Sequence, residues 1–387
     1  MRTAEVVIIG GGVIGASVAY HLAARGVREV LVLERGAAPG EGSTGRATGG
    51  FRAQFGTEVN VRLSLLSREK LLRFEEETGV DAGYMPRGYL FVARDEGELD
   101  ALVNAQAVQR ECGVNDACVV RGADIMRLNP ALSLEGVVGG VYCPSDGFIR
   151  PLEIMRGYAL AASRGGARFE YGVAVEGARG GAGGKVGTLL TTAGEVSAGA
   201  VVNAAGAWAA LVGRVLGAEI PVAPLRRQVA VTHATDLLPD EMPMTVCVSD
   251  GFHLRVRNGR VLLLWPDEPR GQDPFDTSVD EDWLTTVVAK AHANVPCLRR
   301  AEIDRAACWA GLYEMSPDRH ALLGRAEGFD NLYLANGSSG HGVMHAPALG
   351  QLLSEIILDG AAHTLDVQAL RPSRFAEGQS NADPSLL

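Results

Sequence analysis

The sequence predicts an α/β fold in its larger part and an α+β arrangement in a second, inserted part. Three observations carry that expectation. The first is the stretch AEVVIIGGGVIGASVAYHLAARG, followed at once by VREVLVLER. The apolar run Val6, Val7, Ile8, Ile9 enters Gly10, Gly12 and Gly15. A helix-patterned segment then carries Ile14, Val18 and Leu22 on one face, and a second apolar run ends at Glu34. This is a β-α-β unit of the Rossmann-like, dinucleotide-binding kind. The second observation is a change of pattern between Ile220 and Arg305, where PLRRQVAVTHA, GFHLRVRNG and RVLLLWP read as antiparallel strands. Asn258–Gly259 is the hairpin signal within it. The third is the return, after Ala306, of strand–turn–helix character in LYLANGSSGHGVMHAPALGQLLSEIILDG.

Taken in order, each glycine of the first unit has a task. Gly10 makes the tight turn, Gly12 lets a pyrophosphate approach the backbone, and Gly15 lets helix and strand pack closely. Val13 and Ile14 open the helix, whose free N–H groups and dipole favour a phosphate at its start. Gly26 stops it. Glu34 follows at the spacing of an acid that accepts hydrogen bonds from a ribose diol; a turn used only for packing would leave that acid unexplained. A polar, glycine-rich loop from Gly36 to Gly50 comes next. A helix is expected over Val59 to Thr78, with Gly79 as its stop, then short strands in YMPRGYLFVAR and a helix from Glu96 to Glu111. GVVGGVYCPSDGFIRP alternates strands and turns. Pro151 opens a further helix leading to the strand ARFEYGVAVEG, a glycine-punctuated hairpin ends in the strand Ala200–Ala204, and Trp208 to Leu216 reads as helix. DEDWLTTVVAKAHANV is a helix crossing the antiparallel sheet, and the polar residues at the C-terminal end read as a loose tail.

The expected organisation is therefore discontinuous. Residues 1–80, 150–217 and 310–365 build the dinucleotide-binding domain, residues 81–149 and 218–309 build an antiparallel-sheet substrate domain, and 366–387 form the tail. A chain of 387 residues is long enough for both. Its formal charge of −10 argues against a nucleic-acid surface. Cys112, Cys118, Cys143, Cys247, Cys297 and Cys308 are scattered, which reads as reduced thiols of a cytoplasmic protein and offers no zinc or iron–sulfur framework. Neither a signal peptide nor a membrane-spanning apolar run is visible, although peripheral membrane association stays open.

Chemistry concentrates in Gly337-Ser338-Ser339-Gly340-His341-Gly342, which joins a strand to a helix and creates a second anion-stabilising helix start. One such site accounts for the pyrophosphate; a second suits a flavin, whose reduction places negative charge on the pyrimidine ring. The cofactor expected is FAD, with an NAD-linked dehydrogenase as the alternative. His341 and His345 lie four apart, but no carboxylate or thiolate accompanies them, so no metal is expected. Arg52 is either a solvated loop charge or a clamp on a substrate carboxylate. His253, Arg255 and Arg257 alternate and share one face of a strand. Ser338 and Ser339 lack the elbow of a hydrolase nucleophile, and Cys308 beside Trp309 reads as a packed thiol.

With these residues in view, the chain resembles the FAD-dependent amino-acid and amine oxidoreductases of the D-amino-acid oxidase superfamily. Within it, the likeness is to the group of sarcosine oxidase β subunits, L-proline dehydrogenase β subunits and glycine oxidases. Its carriers are the N-terminal unit, GSTGRATGGFRAQFGTEVNVRLS, VVNAAGAWAALV with PLRRQ, WAGLYEMSPDRHALLG and LANGSSGHGVMHAPALGQLLSEII. The resemblance implies FAD in the dinucleotide domain, with a small amino acid or secondary amine between the flavin and the antiparallel sheet. It implies oxidation of a C–N bond by hydride transfer to flavin N5, giving an imine that hydrolyses in water. By matching motifs, Gly10, Gly12, Val13, Ile14, Gly15, Glu34 and Arg35 hold the adenosine end, and Ser43, Thr44 and Arg46 the pyrophosphate and flavin region. Val173 contacts adenine, and Ala205, Gly206 and Trp208 pass near the cofactor. Gly311, Gly340, His341, Gly342, Val343 and Met344 border the isoalloxazine. Arg52 matches a carboxylate-binding arginine, and His253, Arg255 and His341 become candidates around the substrate. Members with covalent FAD use a cysteine or histidine where this chain has Gly311 and Arg46, so the cofactor is expected to be non-covalent. The resemblance also raises a partner subunit, with this chain as a β-type component, or a homo-oligomer.

Overall fold

The computed structural model describes residues 2–181, 183–267 and 273–382; residues 383–387 of the expected tail lie outside them. Two eight-stranded sheets organise the described residues. The first runs Leu322–Arg325, Leu332–Asn336, Gly194–Asn203, Arg2–Ile9, Val30–Glu34 and Arg168–Tyr171, all parallel except the first pair. Its strands read as unbroken apolar runs because both faces are covered. Val6, Ile8, Val30 and Val32 join one core, under the helices Val13–Ala24, Pro151–Arg164 and Gly342–Asp359. Val7, Ile9, Leu31 and Leu33 join another, with the helix Ala209–Leu216. The hairpin strands Val175–Arg179 and Thr188–Thr191 extend this sheet from Gly194–Asn203.

The second sheet has the order Trp309–Met315, Ala223–Val231, Arg260–Leu264, His253–Arg257, Met244–Cys247, Tyr89–Ala93, Gly139–Cys143 and Cys118–Val120. It is antiparallel except where Met244–Cys247 runs parallel to Tyr89–Ala93. The hairpin at Asn258–Gly259 forms with φ of 55° and 68°, the left-handed pair that such a turn demands. One face packs under the helix Glu281–Asn294, burying Leu90, Val92, Leu254 and Leu263 with Trp283 and Val287. Asp280 caps that helix through the Trp283 N–H at 2.8 Å.

Three details differ from the sequence reading. The helix expected over 59–78 breaks at Arg73 into Glu58–Leu72 and Phe74–Thr78. The break lets Phe74 turn inward, edge-on to Tyr158 with ring centroids 4.8 Å apart. The strand Trp309–Met315 pairs along its length with Ala223–Val231, so a division at 309/310 falls inside the antiparallel sheet. The described part of the expected tail, residues 366–382, is docked rather than loose. Arg374, 0 % exposed, donates to both oxygens of Asp318 at 2.8 and 2.9 Å and to the carbonyls of Leu370 and His320. Asn381 adds two further bonds to the same carboxylate. Among the described residues no helix is long and apolar enough to cross a membrane.

Candidate active site

A cleft of about 440 Å³ runs between the C-terminal ends of the parallel strands and the face of the second sheet. This is where an open α/β sheet places its ligands. Gly10, Gly12, Val13, Ile14, Glu34, Arg35, Ser43, Thr44, Arg46, Val173, Ala205, Gly206, Trp208, Gly311, Gly340, Gly342 and Val343 all line it. Of the cofactor candidates, only Gly15, His341 and Met344 lie off its wall.

At one end, Glu34 accepts the Gly11 N–H at 2.8 Å and the Gly36 N–H at 2.7 Å. Each of its oxygens therefore keeps acceptor capacity for a diol. Arg35 stacks over Trp208 at 4.0 Å, and Trp208 stacks in turn on Phe275. The helix start at Val13 is partly capped, since Thr44 Oγ1 accepts the Val13 N–H at 3.1 Å. The two neighbouring glycines serve different ends. A Cβ on Gly15 would lie 1.9 Å from the Gly10 carbonyl oxygen, so that position is filled by packing. A Cβ on Gly12 would meet only Thr44 Oγ1, at 3.3 Å, and its φ of −70° suits any residue.

The middle of the cleft is tied to the second sheet. Ser43 donates to the Leu312 carbonyl at 2.7 Å, Arg46 to the Ala310 carbonyl at 2.8 Å, and Trp309 Nε1 back to the Arg46 carbonyl at 2.8 Å. A Cβ on Gly311 would sit 2.9 Å from Arg46 Cβ, so the two positions discussed for covalent attachment adjoin one another. Tyr313 lines the cleft with 37 % of its surface open although it is deep in the protein, and burial raises its phenol.

Behind the cleft wall, Arg52 is only 4 % exposed. It donates to the Gln54 carbonyl at 2.8 Å and to His341 Nε2 at 3.2 Å, and stacks over Phe55 at 4.3 Å. No carboxylate within ion-pair distance is described for it. Arginine only donates, so His341 must present an unprotonated Nε2 and carry its hydrogen on Nδ1. Burial, reinforced by Arg52, pushes His341 well below the ordinary histidine range. His345 Nε2 meets Ser64 Oγ at 2.9 Å, so the two histidines serve separate neighbours. Asp146 braces the Arg52 loop, accepting the Ala53 N–H at 2.6 Å and the Gln54 amide at 3.0 Å. Burial nonetheless raises it to about 6.

His253 pairs across the sheet with Leu264, a cleft residue, so both point to the same face. Its Nδ1 lies 2.7 Å from the Gly251 carbonyl, and burial pushes it down to about 4. Arg255 is placed differently. It is buried against Phe148 at 3.6 Å and donates to the Thr48 carbonyl at 2.6 Å, which commits it to the loop before Arg52 and away from the cleft wall. Sequence reasoning did not single out Tyr313, Glu314, Arg227 or Thr48, all on the cleft wall. Tyr313 follows Gly311 by two residues in WAGLYEM, and that period-two spacing was the available signal for it; Glu314, on the opposite face of the strand, had none.

A glycine-rich helix start at each end of one cleft, closed by the face of a second sheet, makes a site suited to an extended dinucleotide. The chain belongs to the DAO family of FAD dependent oxidoreductases, which residues 5–356 match. It is 30 % identical to rat mitochondrial dimethylglycine dehydrogenase over 97 % of this chain, spanning 45 % of that longer protein. It is likewise 30 % identical to glycine oxidase of Geobacillus kaustophilus, covering 91 % of this chain and 92 % of the relative. The structure superimposes on L-proline dehydrogenase from P. horikoshii with a TM-score of 0.90 at 30 % identity, covering 98 % of this chain and all of the other. The protein is thus a member of a family of FAD dependent oxidoreductases, and the NAD-linked alternative is set aside.

The cleft fits that cofactor on its own terms: it has open backbone at Gly12, a helix start at Gly342, and an unpartnered buried oxygen, Glu314 Oε2, in its wall. Gly12→Leu should fold and purify colourless, because its side chain projects into the cleft. Gly15→Ala should instead lower soluble yield, because its methyl group meets backbone. Flavin absorbance per folded protein separates the two; a yellow Gly12→Leu protein would contradict this placement.

Proposed function

We propose that this enzyme oxidises the C–N bond of a small amine bearing a carboxylate, of the sarcosine, proline or glycine kind, with Arg52 as the carboxylate clamp. The carrying observation is that Arg52 is buried and, among the described residues, has no carboxylate within ion-pair distance. An isolated buried charge costs several kcal/mol, and an anionic ligand would offset that cost. FAD, held along the cleft, would supply the acceptor for the hydride on the carbon beside the amine. The chain's own contribution is to hold the substrate: the Arg52 fork fixes its carboxylate, while Phe55 and Tyr313 keep water from the space around it. The absence of a cysteine or histidine at Gly311 and Arg46 supports non-covalent attachment of the cofactor.

Asp146, the carboxyl that braces the Arg52 loop, is taken up by the Ala53 N–H and the Gln54 amide, and the histidines are held neutral, so the amine must arrive deprotonated. kcat/KM is therefore expected to rise with pH along the amine's own ionisation. No imidazole step should appear between pH 6 and 7, because burial pushes His253 down to about 4 and holds His341 well below the ordinary histidine range. A limb at pH 6–7 that disappears in His253→Gln would contradict this account.

An anaerobic screen of glycine, sarcosine, dimethylglycine and both enantiomers of proline, following loss of flavin colour and appearance of the carbonyl product, identifies the substrate. A second reading, that turnover needs further domains or a partner chain, is favoured by the dimethylglycine dehydrogenases, of which this chain spans less than half. Steady turnover by the isolated chain with a dye acceptor, as fast as anaerobic bleaching, would contradict it.

A further inference from the structure

Glu314 stands apart from the roles described so far. It is 9 % exposed, on the strand Trp309–Met315, and it lines the cleft. Its Oε1 accepts the Ser338 N–H at 3.2 Å, while its Oε2 is buried with no partner. The carboxyl lies where two glycines leave room. A Cβ on Gly342 would be 3.6 Å from Oε1, and one on Gly206 would be 3.9 Å from Oε2. Gly342 begins the second anion-stabilising helix, and Gly206 belongs to the turn that follows the strand Gly194–Asn203. A buried oxygen that leaves its hydrogen bond unmade is destabilising. The ligand groups able to complete it are hydroxyls and imides, both of which an FAD molecule carries.

We propose that Glu314 is a cofactor-contacting group that binds FAD in its protonated form, so that retention of the flavin is coupled to one proton taken from solvent. Burial already pushes this carboxyl up to about 7, against the pull of the Ser338 N–H and hydroxyl and of the Gly337 N–H. The titratable or charged groups on the elements packed around it are Tyr313 on its own strand, Arg226 and Arg227 on the adjacent strand, Arg46, and His341. None of them is among the causes of its shift. FAD brings two phosphate charges into the same cleft, and its reduction adds a third negative charge near the second helix start. Ionised Glu314 would repel both, so the proton is held more tightly with FAD bound than without it. By linkage, affinity for FAD falls as pH rises through the cofactor-free value, by at most about tenfold per pH unit for one proton. The inference rests on FAD occupying this cleft, which the Gly12→Leu variant tests separately.

The experiment dilutes the holoenzyme into buffers from pH 6 to 8.5 and reads released flavin by its fluorescence at equilibrium. The wild type should release more flavin with each step above pH 7. Glu314→Gln, neutral at every pH and able to keep the Ser338 contact, should give a flat profile at the wild type's low-pH level. Identical pH profiles in the two proteins would overturn the proposal. A measurement on the wild type alone guards against a variant that fails to fold. The infrared carbonyl band of a protonated carboxyl should persist in the holoenzyme at pH 8, where Asp146 has already ionised. Its absence would equally overturn the proposal. Should Gly12→Leu retain FAD while the Glu314 profiles differ, the cleft placement fails and Glu314 acts from a distance.

Discussion

Arg52→Ala should lower kcat/KM by two to three orders of magnitude, chiefly through KM, while leaving the FAD content of the purified protein unchanged. The size follows from the site. Truncating one partner of a buried, hydrogen-bonded charge pair costs about 2–5 kcal/mol, and each 1.4 kcal/mol or so is a factor of ten in rate. Arg52 touches Gln54, Phe55 and His341 and is not on the wall of the cofactor cleft, which is why cofactor loading should survive. Arg52→Lys should recover part of the loss, since a single ammonium replaces the charge but not the fork. Unchanged KM in Arg52→Ala would remove this residue from the substrate site.

The second large effect is on stability. Arg374→Ala should destabilise the protein by about 3–5 kcal/mol, the usual consequence of stranding one member of a buried ion pair. Arg374 and Asp318 are both almost fully enclosed, and the carboxylate is also bound by Asn381. Burial alone would raise Asp318, but the Arg374 guanidinium and the Asn381 N–H outweigh it and hold the carboxyl well below the ordinary range. The folded pKa is therefore lower than the unfolded one. The pair's contribution is complete above about pH 4 and fades as pH falls toward the folded value. A denaturant midpoint measured at pH 7 and pH 4 should drop for Arg374→Ala at both, and only the wild type should lose further stability as the pH is lowered below that range through Asp318. A variant as stable as the wild type at pH 7 would show that the C-terminal segment is not structural.

Asp318 also explains why a distant strap matters to the site. It follows Ser316, whose N–H donates to Ser339 Oγ at 3.1 Å and whose hydroxyl donates to the His320 carbonyl at 2.7 Å. The C-terminal segment thus clamps the base of the glycine-rich turn that precedes the helix Gly342–Asp359. Loosening it should raise flavin release as well as lower stability.

The first β-α-β unit was legible in the sequence because everything it needs is local: a strand, three glycines, a helix stop and an acid at fixed spacing. The same holds for the hairpin at Asn258–Gly259 and for the strand–turn–helix around Gly337–Gly342. Contacts that join distant segments were not legible. Nothing near Arg374 in the sequence distinguishes it from its polar neighbours, and only the fold brings it to Asp318. Met244–Cys247 is too short to announce that it runs parallel to a strand from an earlier part of the chain. The break at Arg73 was hidden because the helical period continues across it. Around the substrate, Arg52 was visible as a position, but its burial without a carboxylate, which gives it meaning, is a property of the packed protein. Arg255 shares a strand face with His253, yet its contact with Thr48 turns it into a residue that shapes the Arg52 loop.

The central claim, that this cleft oxidises an amine held by its carboxylate, reduces to one titration. The oxidised holoenzyme is mixed anaerobically with matched pairs, sarcosine against dimethylamine and proline against pyrrolidine, and the flavin absorbance is followed. The account predicts bleaching by an amino acid of a pair at concentrations roughly a hundredfold or more below those its decarboxylated partner needs, the ratio a buried charge-assisted clamp provides. Equal bleaching by both members of each pair would contradict it.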